Sequence, residues 1–451
     1  MISMEYFDLL IQNGTILTMD KKMSRIEAGA VGIRSGRIVF VGKKSDLSAP
    51  LADQILDVSG GIILPGLVNS HTHLPMSLFR GLADDLPLET WLTEYIFPAE
   101  RAYLNPETVR IGTLLSCSEM LLSGTTTCCD GYFFEDVVAE AVMETGMRGI
   151  LGQGIINHPA PGVPDPKKNI LTAEAFLKKW KDRHPAIFPS LFCHSVYTCS
   201  PETLKSAKAL TRKYDALFQI HAAETRVEAD FCRSTYQTTP VRFLNKMGIL
   251  DSRTLLVHAI WVDDEEIAYI AEKKTTVAHT PESNMKLGSG IAPVAKLVSA
   301  GIPMGLGTDG CASNNDLDLF SEMDTTAKLQ KVASLDPGIL DAATVLRMAT
   351  IDGAKAVGLE DFIGSIETGK AADIIVVDTK KPRLTPAYDP FSLLVYSACG
   401  ADVRDVIVSG KLVVRDGRLQ TLDLSGLLTE TEKICEKIRK SFGKPIPPQT
   451  R

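Results

Sequence analysis

Two patterns of hydrophobic and polar residues divide the chain into a centre and two ends. Near the N-terminus, stretches such as DLLIQNGTILTMD and GAVGIRSGRIVFVG alternate apolar and polar residues between glycine turns, which is typical of β-strands. The same pattern returns in GSIETGKAADIIVVD and VRDVIVSGKLVVRDGRL. Because domain termini are often close in space, we expect residues 1–65 and 365–425 to form one small β-sandwich domain. The mixed charges of residues 426–451 predict a solvated surface helix and a tail.

Between these ends, eight short apolar runs alternate with longer segments of helical periodicity. The runs are IILPGLVNSHTH, GTTTCCD, MRGILGQGII, FPSLFCHS, LFQIHAAET, TLLVHAIWV, TTVAHTPES and IPMGLGTDG. Eight strands with intervening helices predict an α/β fold, a (β/α)₈ barrel of the TIM type over residues 66–364. An open doubly wound sheet is the structural alternative, but no G-x-G-x-x-G turn follows the first run.

Composition and charge exclude several classes of function. The 451 residues are 45% hydrophobic and 23% charged, which is typical of a globular protein, and the formal charge is −7. The sequence contains no basic stripe that would predict nucleic-acid binding. It also contains no apolar run of about 18 residues that would predict a membrane helix. The N-terminal MISMEYFDLLIQNG lacks the basic start of a signal peptide. The nine cysteines show no paired framework, so we expect reduced thiols in the cytoplasm.

Histidines and acidic residues gather where the apolar runs end. His71 and His73 are separated by one residue, so on a strand their side chains project from the same face. The residues at or just beyond the ends of the runs are His71, His73, His194, His221, Glu224, His258, His279 and Asp309. In a barrel, the carboxyl ends of the strands carry the active site. The simplest chemistry is a divalent metal bound by His71, His73, His221 and Asp309, a donor set that suits zinc and also iron.

The motifs HTH, HAAET, VHA, HTPESNMKLGSG and GTDG, in this order, resemble the amidohydrolase superfamily. The resemblance is closest to its branch of S-adenosylhomocysteine and methylthioadenosine deaminases and triazine chlorohydrolases. It covers nearly the whole chain, because NGTILTMD and GSIETGKAADIIVVD recur in the flanking β-domain of that family. The resemblance implies one divalent metal per chain, Zn²⁺ or alternatively Fe²⁺, held by His71, His73, His221 and Asp309. LFCHSVYT offers His194 in place of a lysine or glutamate that would bridge two metals.

The resemblance also implies roles in catalysis. Glu224 lies three residues after His221, where the deaminases keep a glutamate that shuttles a proton and contacts the substrate. His258 corresponds to the histidine that activates or orients the attacking water. Asp309, besides binding the metal, stabilises the addition step together with His258. A carboxyl group placed in this way can protonate a ring nitrogen and then the leaving amine.

Substrate-binding residues follow from the same resemblance. Trp91 and Glu100 match, in spacing from the HTH motif, a tryptophan that walls the pocket and a glutamate that binds ribose hydroxyls. His194 matches a residue that touches the purine or the sugar. One departure concerns the substrate carboxylate, for which relatives that accept homocysteine can place an arginine after the third strand. Here Gln153 stands near that position and Arg148 lies further back, which weakens the case for S-adenosylhomocysteine.

These residues give one leading hypothesis and two alternatives. The leading hypothesis is hydrolytic deamination of an adenine nucleoside to the inosine analogue and ammonia. The nucleosides considered are 5′-methylthioadenosine, S-adenosylhomocysteine, adenosine and 5′-deoxyadenosine. The first alternative is hydrolysis or deamination of a triazine or another N-heterocycle; the second is a catalytically silent scaffold, whose expected erosion of metal ligands is not seen.

The partners we expect are a small-molecule nucleoside and further copies of the chain, with no nucleic acid and no membrane.

Overall fold

The computed structural model describes residues 6–48 and 50–442, so the predicted tail beyond residue 442 lies outside the described residues. The strands are β1 (Tyr6–Leu17), β2 (Arg25–Arg34), β3 (Arg37–Lys43), β4 (Leu51–Asp57), β5 (Ile62–Pro65), β6 (Leu67–Thr72), β7 (Thr125–Tyr132), β8 (Arg148–Ile155), β9 (Ile187–Ser195), β10 (Phe218–Ala222), β11 (Thr254–His258), β12 (Thr276–His279), β13 (Met304–Leu306), β14 (Ile374–Val377), β15 (Val403–Val408), β16 (Lys411–Arg415) and β17 (Arg418–Leu419).

The helices lie mostly between the strands of the central region. They are α1 (Leu88–Thr90), α2 (Phe97–Tyr103), α3 (Pro106–Leu122), α4 (Glu135–Thr145), α5 (Asn169–Trp180), α6 (Pro201–Tyr214), α7 (Arg226–Tyr236), α8 (Pro240–Lys246), α9 (Asp264–Glu272), α10 (Pro281–Lys286), α11 (Val294–Ser299), α12 (Leu319–Ser334), α13 (Ala342–Met348), α14 (Ile351–Ala356), α15 (Pro390–Tyr396) and α16 (Leu424–Phe442). A π-helical segment, Trp91–Ile96, joins α1 to α2 without a break. In the described part of the chain, every helix is too short or too polar to cross a bilayer.

The central strands form the predicted barrel. Strands β6 to β13 make one parallel sheet in chain order, and a bridge between Thr72 and Asp309 joins the last strand region to the first. Residues of β7, β10 and β11 are buried along their whole length, because helices cover the outside and side chains fill the inside. The (β/α)₈ prediction is therefore confirmed, with one strand from each of the eight apolar runs.

The two chain ends meet in a second, mixed sheet, here called the accessory sheet (β1–β5 and β14–β17). Its order is β17-β16-β15-β14-β5-β1-β2-β3, with β4 also paired to β1. The junction of the N-terminal and C-terminal parts is the antiparallel pairing of β5 with β14, in which Ile63 lies opposite Val376. A β-domain built from both ends of the chain is thus confirmed, while the exact boundaries at residues 65, 364 and 425 stay a prediction.

The chain passes from the accessory sheet into the barrel at Gly66, inside the first apolar run. This run, which reads as a single strand, contains both β5 and β6. A Cβ atom at Gly66 would lie 2.1 Å from the Thr126 hydroxyl oxygen, so only glycine fits between the two sheets. The C-terminal helix α16 lies at the surface and buries one face with Leu427, Ile434 and Ile438.

Candidate active site

Four predicted ligands converge at the carboxyl ends of three barrel strands. His71 lies on β6, His73 directly follows it, His221 lies on β10 and Asp309 follows β13. Their ligand atoms all lie within 4.8 Å of one another, and all four residues are buried. Asp309 Oδ1 lies 3.1 Å from His73 Nε2 and 3.5 Å from His71 Nε2. His71 Nε2 and His221 Nε2 are 3.1 Å apart. The structure therefore brings these four side chains together.

The donor atoms of this cluster fit a divalent cation. The Nδ1–H of His73 donates to the carbonyl oxygen of Gly131 at 2.6 Å, which leaves the Nε2 lone pair directed at the cluster. Burial lowers the pKa of His71 to about 4, and burial together with neighbouring histidines places the pKa of His221 well below its usual value. Burial opposes the charged form of His73 as well, but the adjacent Asp309 carboxylate outweighs it and raises the pKa of His73. Neutral imidazoles and one carboxylate are the donor set that zinc prefers. These four residues could therefore hold a metal ion.

Asp309 is held in place by two hydroxyl groups. Its Oδ2 accepts hydrogen bonds from Ser283 Oγ at 2.6 Å and from Ser313 Oγ at 2.9 Å, so that Oδ1 alone faces the histidines. The backbone of Asp309 has φ of 58°, in the left-handed region that non-glycine residues seldom occupy. Such strain is typical of functional sites whose surroundings hold them in place.

Glu224 and His258 form a second group beside the first. His258 Nε2 lies 3.8 Å from Glu224 Oε2, and both groups share His221. The other nitrogen of His258, Nδ1, lies 2.8 Å from Asn284 Oδ1 and 2.9 Å from the Thr280 hydroxyl. Since the amide oxygen can only accept, Nδ1 carries the proton and Nε2 is left to face Glu224. Burial raises the pKa of Glu224, which suits a group that must both take and give a proton.

These residues lie along the wall of a cavity of about 740 Å³, counted to its open mouth. Trp91, Glu100 and His194, which the sequence predicts as substrate-binding residues, all line this cavity together with Glu224 and His258. Its remaining wall is largely apolar. The lining residues outside the two polar groups include Met76, Leu88, Leu92, Ile96, Phe97, Phe133, Ile155, Ile156, Phe192 and Leu287.

One wall of the cavity is the continuous helix of residues 88–103, here called the cavity helix. Its lining positions are Leu88, Trp91, Leu92, Ile96, Phe97 and Glu100. In an unbroken α-helix, the residues that follow the first three on the same face would be 95, 96 and 99. The π-helical turn, in which the N–H of Phe97 donates to the carbonyl of Leu92, inserts one residue and brings Glu100 to the cavity. Pro98 contributes to this break, because it has no N–H to donate.

Glu100 is paired with a residue that the sequence did not reveal. The hydroxyl of Tyr132, at the end of β7, donates a hydrogen bond to Glu100 Oε1. Burial raises the pKa of Glu100 to about 7. His194 has its Nδ1 3.1 Å from the Thr198 hydroxyl, and burial lowers its pKa to about 4, so its ring is neutral. Tyr132 lies two residues beyond the apolar run GTTTCCD, which is the only signal that could have found it.

Gln153, Arg148 and His279 lie outside the lining of the cavity. Gln153 is not among the residues lining the cavity, and its Nε2 contacts the carbonyl oxygen of Gly154 at 3.3 Å. Arg148 forms a buried, bidentate ion pair with Asp373, at 2.9 and 3.0 Å, and so ties the barrel to the accessory sheet. His279 is fully buried, and neither of its ring nitrogens has a partner among the described residues. Gln153 and Arg148 therefore give no evidence about the substrate.

Comparisons with known proteins match nearly the whole chain. The model of the amidohydrolase family matches residues 62–413. A 5-methylthioadenosine/S-adenosylhomocysteine deaminase of Syntrophobacter fumaroxidans is 45% identical over 433 residues, 96% of this chain and 98% of that protein. A 5′-deoxyadenosine deaminase of Methanosarcina mazei is 43% identical over 434 residues, again 96% and 98%. The solved adenosine deaminase from Xanthomonas campestris with bound zinc has a TM-score of 0.95 and 37% identity, covering 97% of this chain and 100% of that one.

Proposed function

This chain belongs to the amidohydrolase family, and from that premise we propose that it deaminates an adenine nucleoside by hydrolysis. The products are the inosine analogue and ammonia. The observation that carries this proposal is one cavity with the His–His–His–Asp cluster and the Glu224–His258 pair in its wall, and Glu100 and Trp91 on the cavity helix. The full-length relatives named as deaminases of methylthioadenosine, S-adenosylhomocysteine or 5′-deoxyadenosine support the same class of substrate.

The proposed cofactor is one divalent metal per chain, held by His71, His73, His221 and Asp309. Zinc is our first choice because of the imidazole and carboxylate donors, and Fe²⁺ suits the same donors. When bound, such an ion lowers the pKa of water toward neutrality. The zinc in the related adenosine deaminase supports this choice.

The protein's own groups then move the protons. Glu224 takes a proton from the attacking water and delivers it to the ring nitrogen beside the amine-bearing carbon. His258, whose Nδ1–H is bound by Asn284, presents Nε2 to the same region and orients the water for attack. Glu224 then takes the second proton of this water and gives it to the amine, the carbon–nitrogen bond breaks and ammonia leaves. One water is consumed for each ammonia released.

The sugar end of the substrate is assigned to the cavity helix. Glu100 accepts hydrogen bonds from ribose hydroxyls, Trp91 forms an apolar wall, and His194 contacts the purine or the sugar. A buried carboxylate at this place favours a nucleoside over a triazine, since a triazine has no hydroxyls to bind it. The described residues lining the cavity include no lysine or arginine. We therefore propose that small, neutral 5′-groups are preferred over the charged homocysteine moiety.

The cellular setting is a smaller part of the proposal. All nine cysteines are free thiols, seven of them buried, which supports a reducing compartment such as the cytoplasm. A homo-oligomer remains our expectation, and sedimentation of the purified protein tests it.

The experiment that tests the function is a screen for ammonia release by metal-loaded enzyme. The substrates are adenosine, 5′-methylthioadenosine, 5′-deoxyadenosine, S-adenosylhomocysteine and melamine. We expect ammonia from the neutral nucleosides, a lower kcat/KM for S-adenosylhomocysteine and none from melamine. Release from melamine alone would favour the triazine alternative, and release from none of the five would contradict the proposed class of substrate.

A further inference from the structure

The carboxylate of Glu100 lines the cavity, and one of its two oxygens already accepts a hydrogen bond from the protein. Oε1 accepts the hydrogen bond of the Tyr132 hydroxyl. Both residues line the cavity, and each is only 5% exposed. Among the described residues, no other side chain shares Glu100, so Oε2 is the oxygen that remains for a ligand. The carboxylate is therefore oriented before any substrate arrives.

The two partners come from different elements, a strand of the barrel and the cavity helix. Tyr132 ends β7, which pairs with β6 and β8 inside the barrel, and its ring lies against those of Phe133 and His73 at centroid distances of 5.2 and 5.9 Å. Glu100 lies on the cavity helix, one residue out of α-helical register because of the π-helical turn. A free glutamate side chain on such a helix samples several rotamers, and fixing one of them costs entropy on binding. Tyr132 supplies an anchor from a strand that is paired on both sides.

We propose that Tyr132 is a positioning residue, whose hydroxyl holds Glu100 Oε1 so that Oε2 meets the ribose hydroxyls of the substrate. This inference rests on the proposed function. It makes recognition of the ribose depend on a residue that does not itself bind the sugar. It also links the sugar end of the cavity to the barrel strand that supplies the Gly131 carbonyl, the hydrogen-bond acceptor of His73.

The test is Tyr132→Phe, measured with two nucleosides that differ only in the hydroxyls in question. Phenylalanine keeps the ring against His73 and removes only the hydrogen bond. With adenosine, we expect KM to rise about 10- to 100-fold, the range for losing a hydrogen bond to a charged group, with kcat within about threefold. With 2′,3′-dideoxyadenosine, which offers Glu100 no hydroxyl, wild type and variant should have the same KM within about twofold. A merely structural role of Tyr132 would change KM for both nucleosides alike. A change for adenosine alone therefore identifies the positioning role.

Tyr269→Phe is the matched control. Tyr269 also donates to a glutamate, Glu265, at 2.5 Å, but on the exposed outer helix α9. Its substitution should leave both nucleosides unaffected. Equal changes in KM for adenosine and dideoxyadenosine in Tyr132→Phe, or no change for either, would overturn the inference while leaving the deaminase activity established. If the wild-type enzyme released ammonia from none of the five compounds of the substrate screen, the proposed function would fail and the inference with it.

Discussion

Replacing Glu224 by glutamine separates proton transfer from binding. Glutamine has the shape of glutamate and can still form hydrogen bonds, but it cannot cycle a proton. The backbone at this position is fixed independently of the side chain, because the N–H of Glu224 donates to Glu228 Oε2 at 2.8 Å. The Glu224 carboxyl, 3.8 Å from His258 Nε2, is the acidic group nearest to that ring among the described residues that line the cavity. The substitution should therefore change the chemistry without displacing the loop.

The expected loss in kcat is about 10²- to 10⁴-fold, the usual contribution of general acid–base catalysis. This corresponds to about 3 to 5 kcal/mol of barrier, at 1.36 kcal/mol for each factor of ten. Metal content and affinity for the inosine product should change little, since the lost interaction belongs mainly to the transition state. The assay is steady-state ammonia release, with elemental analysis and product titration on the same preparation.

A matched control is Glu266→Gln, which changes another buried glutamate, on α9 outside the cavity. Its turnover should remain within about twofold of wild type. Near-normal turnover of Glu224→Gln with intact metal would refute the reasoning and remove Glu224 from the mechanism. A loss of turnover that is accompanied by loss of metal would instead assign the residue to the metal site.

The remaining predictions concern the metal, the pocket wall and the contact between the two sheets. His71→Ala should lose metal and turnover together, from about one divalent ion per chain in wild type, as elemental analysis can show; full metal with normal turnover would remove it from the ligand set. Trp91→Ala should raise KM mainly for substrates with bulky apolar 5′-groups, because the apolar wall is lost; an equal rise for 5′-deoxyadenosine and methylthioadenosine would contradict this role. Arg148→Met should lower the free energy of unfolding by about 3 to 5 kcal/mol in urea titrations, because it leaves the Asp373 carboxylate buried and unpaired; a loss below about 1 kcal/mol would contradict that.

The barrel was predictable because parallel strands covered on both sides appear in the sequence as short apolar runs. The run that contains β5 and β6 shows the limit of that pattern. Its apolar residues continue through Pro65 and Gly66, yet the chain changes sheets there. The hydrophobic pattern reports only that residues are buried. Since β5 and β6 are both buried, the pattern alone could not show where the chain passes from one sheet to the other. The close approach of Thr126 to Gly66, which requires glycine, is visible only in three dimensions.

The metal end of the site was predictable for a related reason. His71, His221 and Asp309 stand at or just beyond strand ends, and all the strands of a parallel barrel end on the same side. Side chains far apart in the sequence therefore have to meet there. The contacts that orient them, such as Asn284 with His258, come from loops and short helices after the strands. The backbone path of these segments depends on local turns, and the apolar pattern does not specify it.

The sugar end of the site depends on helix register, which small local features can change. Unbroken α-helical periodicity through residues 88–103 would place Ala99 where the structure places Glu100. The π-helical turn before Pro98 changes that register by one residue, or about 100° around the helix. A single insertion in the exposed stretch Thr93–Glu94, with the π-helical turn kept, would thus bring Ala99 to the cavity in place of Glu100 and exchange a carboxylate for a methyl group without touching the metal cluster. Within such a fold, substrate preference can change while the chemistry at the strand ends is kept, because the two ends of the cavity are carried by separate elements.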